Sequence, residues 1–127
     1  MQNAEAPRRG DITEVEERRV AALLCADAEA TVGPGYEQSI AADAAHRREY
    51  CYDPATYADD VADDVQQRMH DAFIDTSWPS CPRHPKVPMG SYQGVWSCDG
   101  DPIAPLGALS LLRTNQRGAL DRYANSE

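Results

Sequence analysis

Apolar residues recur at helical spacing in two stretches of this chain and alternate like a strand in a third, with glycine and proline marking the breaks between them. Ile12, Val15, Val20, Leu23 and Leu24 form a broad face continuing through Ala28, which predicts a helix. Asp11 is placed to cap it, with Glu14 at the third helical position completing a capping box, and Glu14, Glu16 and Glu17 sit where the helix dipole favours negative charge. Gly33-Pro34-Gly35 ends this helix. The next marked helix opens at Asp53-Pro54, with Asp53 as N-cap and Pro54 in the first helical position. Ala58, Val61, Val65, Met69, Ala72 and Phe73 give it a buried stripe, and Asp59, Asp60, Asp63 and Asp64 an acidic outer face, with Asp64 in reach of Arg68. Between these two helices the pattern is weaker. Residues 37–47 are expected to be helical and to lead into a short extended piece at Glu49 to Tyr52, a hairpin through 38–52 being the alternative.

From Ser77 onward the residue types change. Pro82, Pro85 and Pro88 stiffen the chain, Tyr92 to Cys98 alternates large and small side chains, and Asp99-Gly100-Asp101 is hairpin-turn chemistry leading to Ile103, Ala104 and Leu106. Ala108 to Leu112 is apolar enough to pack back on the domain as a strand end or one helical turn. The expected fold class is α+β, with two or three helices packed against a small C-terminal β-hairpin and a zinc-ribbon-like knuckle. Residues 1–10 read as a flexible tail, 11–112 as one small domain (helical part 11–75, knuckle and hairpin 76–112), and 113–127 as a polar C-terminal tail.

The candidate chemistry lies in the same stretch. Cys81, His84 and Cys98 form a Cys-x2-His-x13-Cys pattern. A two-residue spacing lets both first ligands turn toward one ion, and a returning hairpin brings in the third, so the pattern predicts a zinc site. His70, about a dozen residues upstream at the end of its helix, is the first candidate for a fourth ligand; Cys51, Asp99, Asp101 or a water are the others. A Cys81–Cys98 disulfide, or two buried thiols packing as small hydrophobes, are the competing readings.

This segment resembles the C-terminal part of small proteins from bacteria with GC-rich genomes. In these a W-P-x-C-P-x-H-P turn is followed by W-x-C and a short apolar strand ending in Leu-Gly. The residues that match are Trp78, Pro79, Cys81, Pro82, His84 and Pro85, then Trp96 and Cys98, then Ile103, Ala104, Leu106 and Gly107. The resemblance implies the local fold of the knuckle and carries no assigned activity.

Charge and composition narrow the function. A net charge of −9 on 127 residues repels the phosphate backbone, and the arginine pairs are scattered among acids, so nucleic acid is not an expected partner. The longest apolar run, Val20 to Ala26, is too short to span a bilayer, and the first ten residues hold no secretory apolar core, so the protein is expected to be cytoplasmic with no membrane role. In a reducing compartment cysteines are metal-bound or free more often than paired, which ranks zinc above a disulfide. The sequence holds no phosphate-binding glycine loop, no H-E-x-x-H and no G-x-S-x-G, and the zinc deaminase pattern lacks its His-x-Glu half. Two readings follow. One is a protein-interaction or accessory module with a structural zinc knuckle flanked by Trp78, Tyr92 and Trp96, most of which are expected to cover the knuckle and complete a core poor in phenylalanine, and whose acidic helix suits a basic partner. The other is a small metal-dependent hydrolase with three protein ligands and an open metal position.

Overall fold

The computed structural model describes residues 12–50, 53–72 and 74–112. Among these residues lie the helices α1 (Glu14–Thr31), α2 (Glu37–Tyr50) and α3 (Tyr57–Asp71), and the chain is helical again over 109–112, where one helical turn was among the expectations. Five short strands follow α3: β1 (Ser80–Cys81), β2 (His84–Pro88), β3 (Gly90–Tyr92), β4 (Val95–Cys98) and β5 (Asp101–Pro105). The class is α+β, helices first and antiparallel hairpins after. β1 and β2 form one two-stranded sheet, and β3-β4-β5 form a separate meander. The expected tails at 1–10 and 113–127, and the readings placed on Asp11, Cys51, Tyr52 and Phe73, lie outside the described residues.

Thr13 caps α1. Its Oγ1 accepts from the Glu16 amide at 3.1 Å, two residues later than a cap at Asp11 would fall. Ile12, just ahead of the cap, is buried, and the Arg48 Nε of α2 donates to its carbonyl at 2.7 Å, which sets where the chain enters the helix. Val15, expected on the apolar face, is 67% exposed. At the other end the Val32 and Gly33 amides both turn back to the Ala28 carbonyl, so the helix closes where the Gly-Pro-Gly signal placed its end.

The least legible region resolves as α2, which carries the helix through Glu49 and Tyr50, where an extended piece was expected. Strand propensity at these residues is a weak preference that tertiary contacts override. Ile40 and Ala44 supply the buried face, and ion pairs to both neighbouring helices supply the rest. Arg48 meets Glu17 at 3.1 Å, Arg47 meets Asp64 in two-pronged fashion at 2.9 and 2.7 Å, and Asp43 meets Arg68. Asp64 therefore pairs across helices with Arg47 rather than along α3 with Arg68.

α3 begins at Tyr57, later than Asp53-Pro54 suggested. The Asp53 carboxylate accepts from the Ala55 amide at 3.0 Å and closes a turn before the helix instead of capping it. Tyr57 is fully buried and its hydroxyl donates to the Ala44 carbonyl at 2.7 Å, which fixes the start of α3 against α2. Val61, Val65 and Met69 form the expected stripe, whereas Ala72 is exposed at the helix end.

The meander turns twice through two-residue loops, Gln93-Gly94 (φ 53° and 79°) and Asp99-Gly100 (φ 53° and 83°), both in the left-handed region that matches the twist of a tight hairpin. The first turn divides what reads in sequence as one strand from Tyr92 to Cys98. Asp59 of α3 holds it, accepting from Ser91 Oγ at 2.5 Å and from the Gln93 and Gly94 amides at 2.7 and 2.9 Å. The acidic face of α3 is thus partly spent inside the fold. Asp59→Ala strands two turn amides and a hydroxyl, and is expected to lower stability by roughly 1–3 kcal/mol. Urea unfolding measures this, and a loss below the error of the measurement would remove Asp59 from the scaffold. One edge strand of each sheet carries proline, Pro85 and Pro88 on β2 and Pro102 and Pro105 on β5, which removes donors from an otherwise open ladder.

One core cluster joins the helical and strand parts. At its centre Trp78 and Trp96 meet edge to face, ring centroids 5.5 Å apart at 81°. Each indole N–H finds a partner on α1: Trp78 donates to Thr31 Oγ1 and Trp96 to Asp27 Oδ2, both at 2.8 Å. Asp27 is itself fully buried and also accepts from the Gly107 and Leu109 amides at 2.7 and 3.0 Å. Both tryptophans are core residues, as expected of aromatics that cover the knuckle and complete a core poor in phenylalanine, and Tyr92 is exposed, at 68%.

Candidate metal centre

The β1–β2 turn, Cys81-Pro82-Arg83-His84, puts Cys81 opposite His84 in the antiparallel register, so the two side chains stand side by side. Cys98 arrives from the other sheet. Along β4 the side chains alternate, Trp96 and Cys98 inward and Val95 and Ser97 less so, so the strand that inserts Trp96 into the core also delivers a thiol at its end. His84 Nδ1 lies 3.6 Å from Cys81 Sγ and 3.5 Å from Cys98 Sγ. The three candidate ligand atoms all fall within 4.8 Å of one another. Zinc bonds of about 2.3 Å to sulfur and about 2.0–2.1 Å to nitrogen, at a tetrahedral angle, separate S from N by about 3.6 Å. The two sulfur–nitrogen separations match that value, so the three groups lie close enough to bind one metal ion.

Electrostatics favours one thiolate before any metal arrives. Burial alone would raise the Cys81 thiol, but the Arg83 amide, the Cys98 thiol and His84 outweigh it and bring it down to about 7. Cys98 moves the other way, because its thiol donates to the Cys81 sulfur and because desolvation and the charge at Cys81 disfavour a second thiolate beside it. Both sulfurs are unbonded, so the structure carries no Cys81–Cys98 disulfide. Cys25 stands apart, half-buried on α1, its thiol pushed up by burial and by Glu37 and Glu29.

His70 does not join the group. Its Nε2 lies 3.3 Å from the Trp78 carbonyl, which also accepts from Gln66 Nε2 at 3.0 Å. Gln66 donates as well to the Met89 carbonyl at 2.6 Å, and the Met89 amide reaches Pro79. α3 therefore grips the base of the β1–β2 hairpin through Gln66 and His70, and His70 holds the backbone that carries the site. Proximity in sequence suggested a ligand because the helix end and the hairpin are close; the carbonyl intervenes. Asp99 and Asp101 are not among the converging atoms either, and Asp101 Oδ2 faces Arg83 Nη2 at 3.4 Å. Gln66 and Arg83 leave no signal in the sequence, since a polar residue on a helix and a variable position inside a turn look like solvent-facing residues.

Comparison of the chain with protein-family models, with curated proteins and with solved structures finds no match. The functional reading therefore rests on the geometry. Among the described residues no helix is long and apolar enough to cross a membrane.

Proposed function

We propose that this protein is a small cytoplasmic accessory module in which a structural zinc ion clips two hairpins together, and that it acts by binding a basic protein partner. The observation that carries the reading is where the ligands come from. Cys81 and His84 stand on the β1–β2 sheet and Cys98 on the β3-β4-β5 sheet, two sheets that share no ladder. An ion bound there crosslinks them, as structural zinc does in domains too small to rely on a core alone. The partner's basic character follows from the net charge of −9. Val87 on β2 and Tyr92 on β3 are exposed and supply apolar contact area.

The competing reading, a metal-dependent hydrolase, draws on one fact: three protein atoms converge where a closed structural site has four. Elemental analysis of purified protein separates a metal centre from a pair of buried thiols. About one zinc per chain is expected, with a melting temperature that falls when a chelator removes it. Metal-free protein of undiminished stability would sink the proposal.

A further inference from the structure

We propose that Asp101 is the fourth ligand, closing the centre as Cys81, His84, Cys98 and Asp101; this rests on reading the site as a zinc centre. The two hairpin turns that build the site are equivalent in register. In the first, Cys81 is opposite His84 across two turn residues, Pro82 and Arg83. In the second, Cys98 is opposite Asp101 across two turn residues, Asp99 and Gly100. Residues directly opposed on antiparallel strands emerge on the same face of the sheet, with Cβ atoms about 4.5–5.5 Å apart. In the first turn the opposed pair supplies two ligands. Cys98 supplies one from the second, and Asp101 holds the position that corresponds to His84.

Asp101 already leans across the gap between the hairpins. Its carboxylate meets the guanidinium of Arg83, which sits between Cys81 and His84 in the opposite turn, at 3.4 Å. Both side chains are mostly exposed, 68% and 56%, and a pair this solvated contributes little. Exchanging it for an oxygen–zinc bond needs a rotamer change in an exposed side chain and no movement of the core. Asp99 cannot substitute, because it lies within the turn at φ 53° rather than opposite a ligand. His70 is occupied with the Trp78 carbonyl. Two thiolates and a carboxylate leave the bound site with one excess negative charge, and Arg83, beside both Cys81 and Asp101, offsets it. A centre with four protein ligands has no position for a reacting water, so the ion would be structural.

The test uses the full chain and two probes, zinc in competition with a chromophoric chelator and cobalt(II) followed by absorption. Asp101→Ala is expected to weaken zinc by more than the roughly 10–100-fold that loss of an outer-shell partner costs, and to change the ligand-field bands of the cobalt protein. Asp101→Cys is expected to restore affinity and to add thiolate-to-cobalt charge-transfer intensity, a signature that only a ligand at this position produces. Arg83→Ala, which removes only the charge that offsets the site, is expected to weaken zinc far less than Asp101→Ala. Parent-like affinity in Asp101→Ala, or no added charge-transfer band in Asp101→Cys, overturns the fourth ligand while leaving the zinc centre standing. Equal weakening by Arg83→Ala and Asp101→Ala overturns it too, since the carboxylate would then act only through the ion pair. A parent chain that takes up neither metal overturns both this proposal and the zinc reading.

Discussion

Replacing Cys98 by Ser is expected to abolish tight zinc binding and to lower the melting temperature of the zinc-supplied protein by roughly 15–30 °C. The size follows from linkage. Metal at about a thousand times its dissociation constant stabilises the folded chain by about 4 kcal/mol, and each kcal/mol moves the midpoint of a domain of this size by roughly 4–8 °C. Of the three converging groups Cys98 is the one on the meander, so its loss removes a thiolate from the site and weakens the link between the two sheets. Serine is close to cysteine in size, and the site is at the end of β4, so the packing of Trp96 two residues earlier is untouched. The gap between parent and variant should therefore narrow sharply once a chelator strips the metal. Parent-like melting of the variant in excess zinc would return Cys81 and Cys98 to the status of buried thiols.

Asp27→Ala is the second large effect, and it owes nothing to metal. The carboxylate accepts from the Trp96 indole, the Gly107 amide and the Leu109 amide inside the core. Truncation leaves three buried donors unpaired, at a cost of roughly 1–3 kcal/mol each if isolated, so a total of roughly 3–5 kcal/mol is expected after partial relaxation. Asp27→Asn separates hydrogen bonding from charge. Its amide oxygen can serve the two donors that share Oδ2, while its NH2 group faces the Leu109 amide, so a smaller loss is expected. The pH dependence has a definite sign. Burial pushes the Asp27 carboxyl up, against the pull of its three hydrogen bonds, so the folded chain holds this proton more tightly than the unfolded chain. The contribution to stability is present in full below the unfolded pKa of about 3.9 and is lost as pH rises through the folded value. The advantage of the parent over Asp27→Asn should accordingly be larger near pH 4 than at neutrality, measured by urea unfolding with chelator present so that metal does not titrate alongside. A loss in Asp27→Ala below about 1 kcal/mol would show that water replaces the carboxylate, and that the core is looser than its burial implies.

The elements legible in the sequence are those set by local chemistry. The end of α1 at Gly33-Pro34-Gly35, the stripe of α3 through Val61, Val65 and Met69, and the Asp99-Gly100 turn each follow from backbone preference or from an apolar period over a few residues. The convergence of Cys81, His84 and Cys98 was legible for the same reason, since a Cys-x2-His turn works over four residues and a hairpin returns the Cys98 thiol to it. Where the reading went astray, the deciding partner was distant in sequence. Tyr50 is helical because α2 is pinned by Arg47 to Asp64 and by Arg48 to Glu17. Tyr92 to Cys98 breaks at Gln93-Gly94 with Asp59, more than 30 residues away, accepting its amides.

Local sequence was thus enough for the α+β class, for most of the helical segments and for the Cys81, His84 and Cys98 set, because turns and periodic faces depend on neighbours within one or two turns of chain. Only the tertiary structure could make Asp27 and Asp59 into internal acceptors and give His70 to the Trp78 carbonyl instead of the Cys81, His84 and Cys98 group. An aspartate on a helix carries the same local signature whether it faces water or three buried N–H groups. The difference lies in which donors the rest of the chain brings within about 3 Å of it, and that distance is a property of packing rather than of spacing.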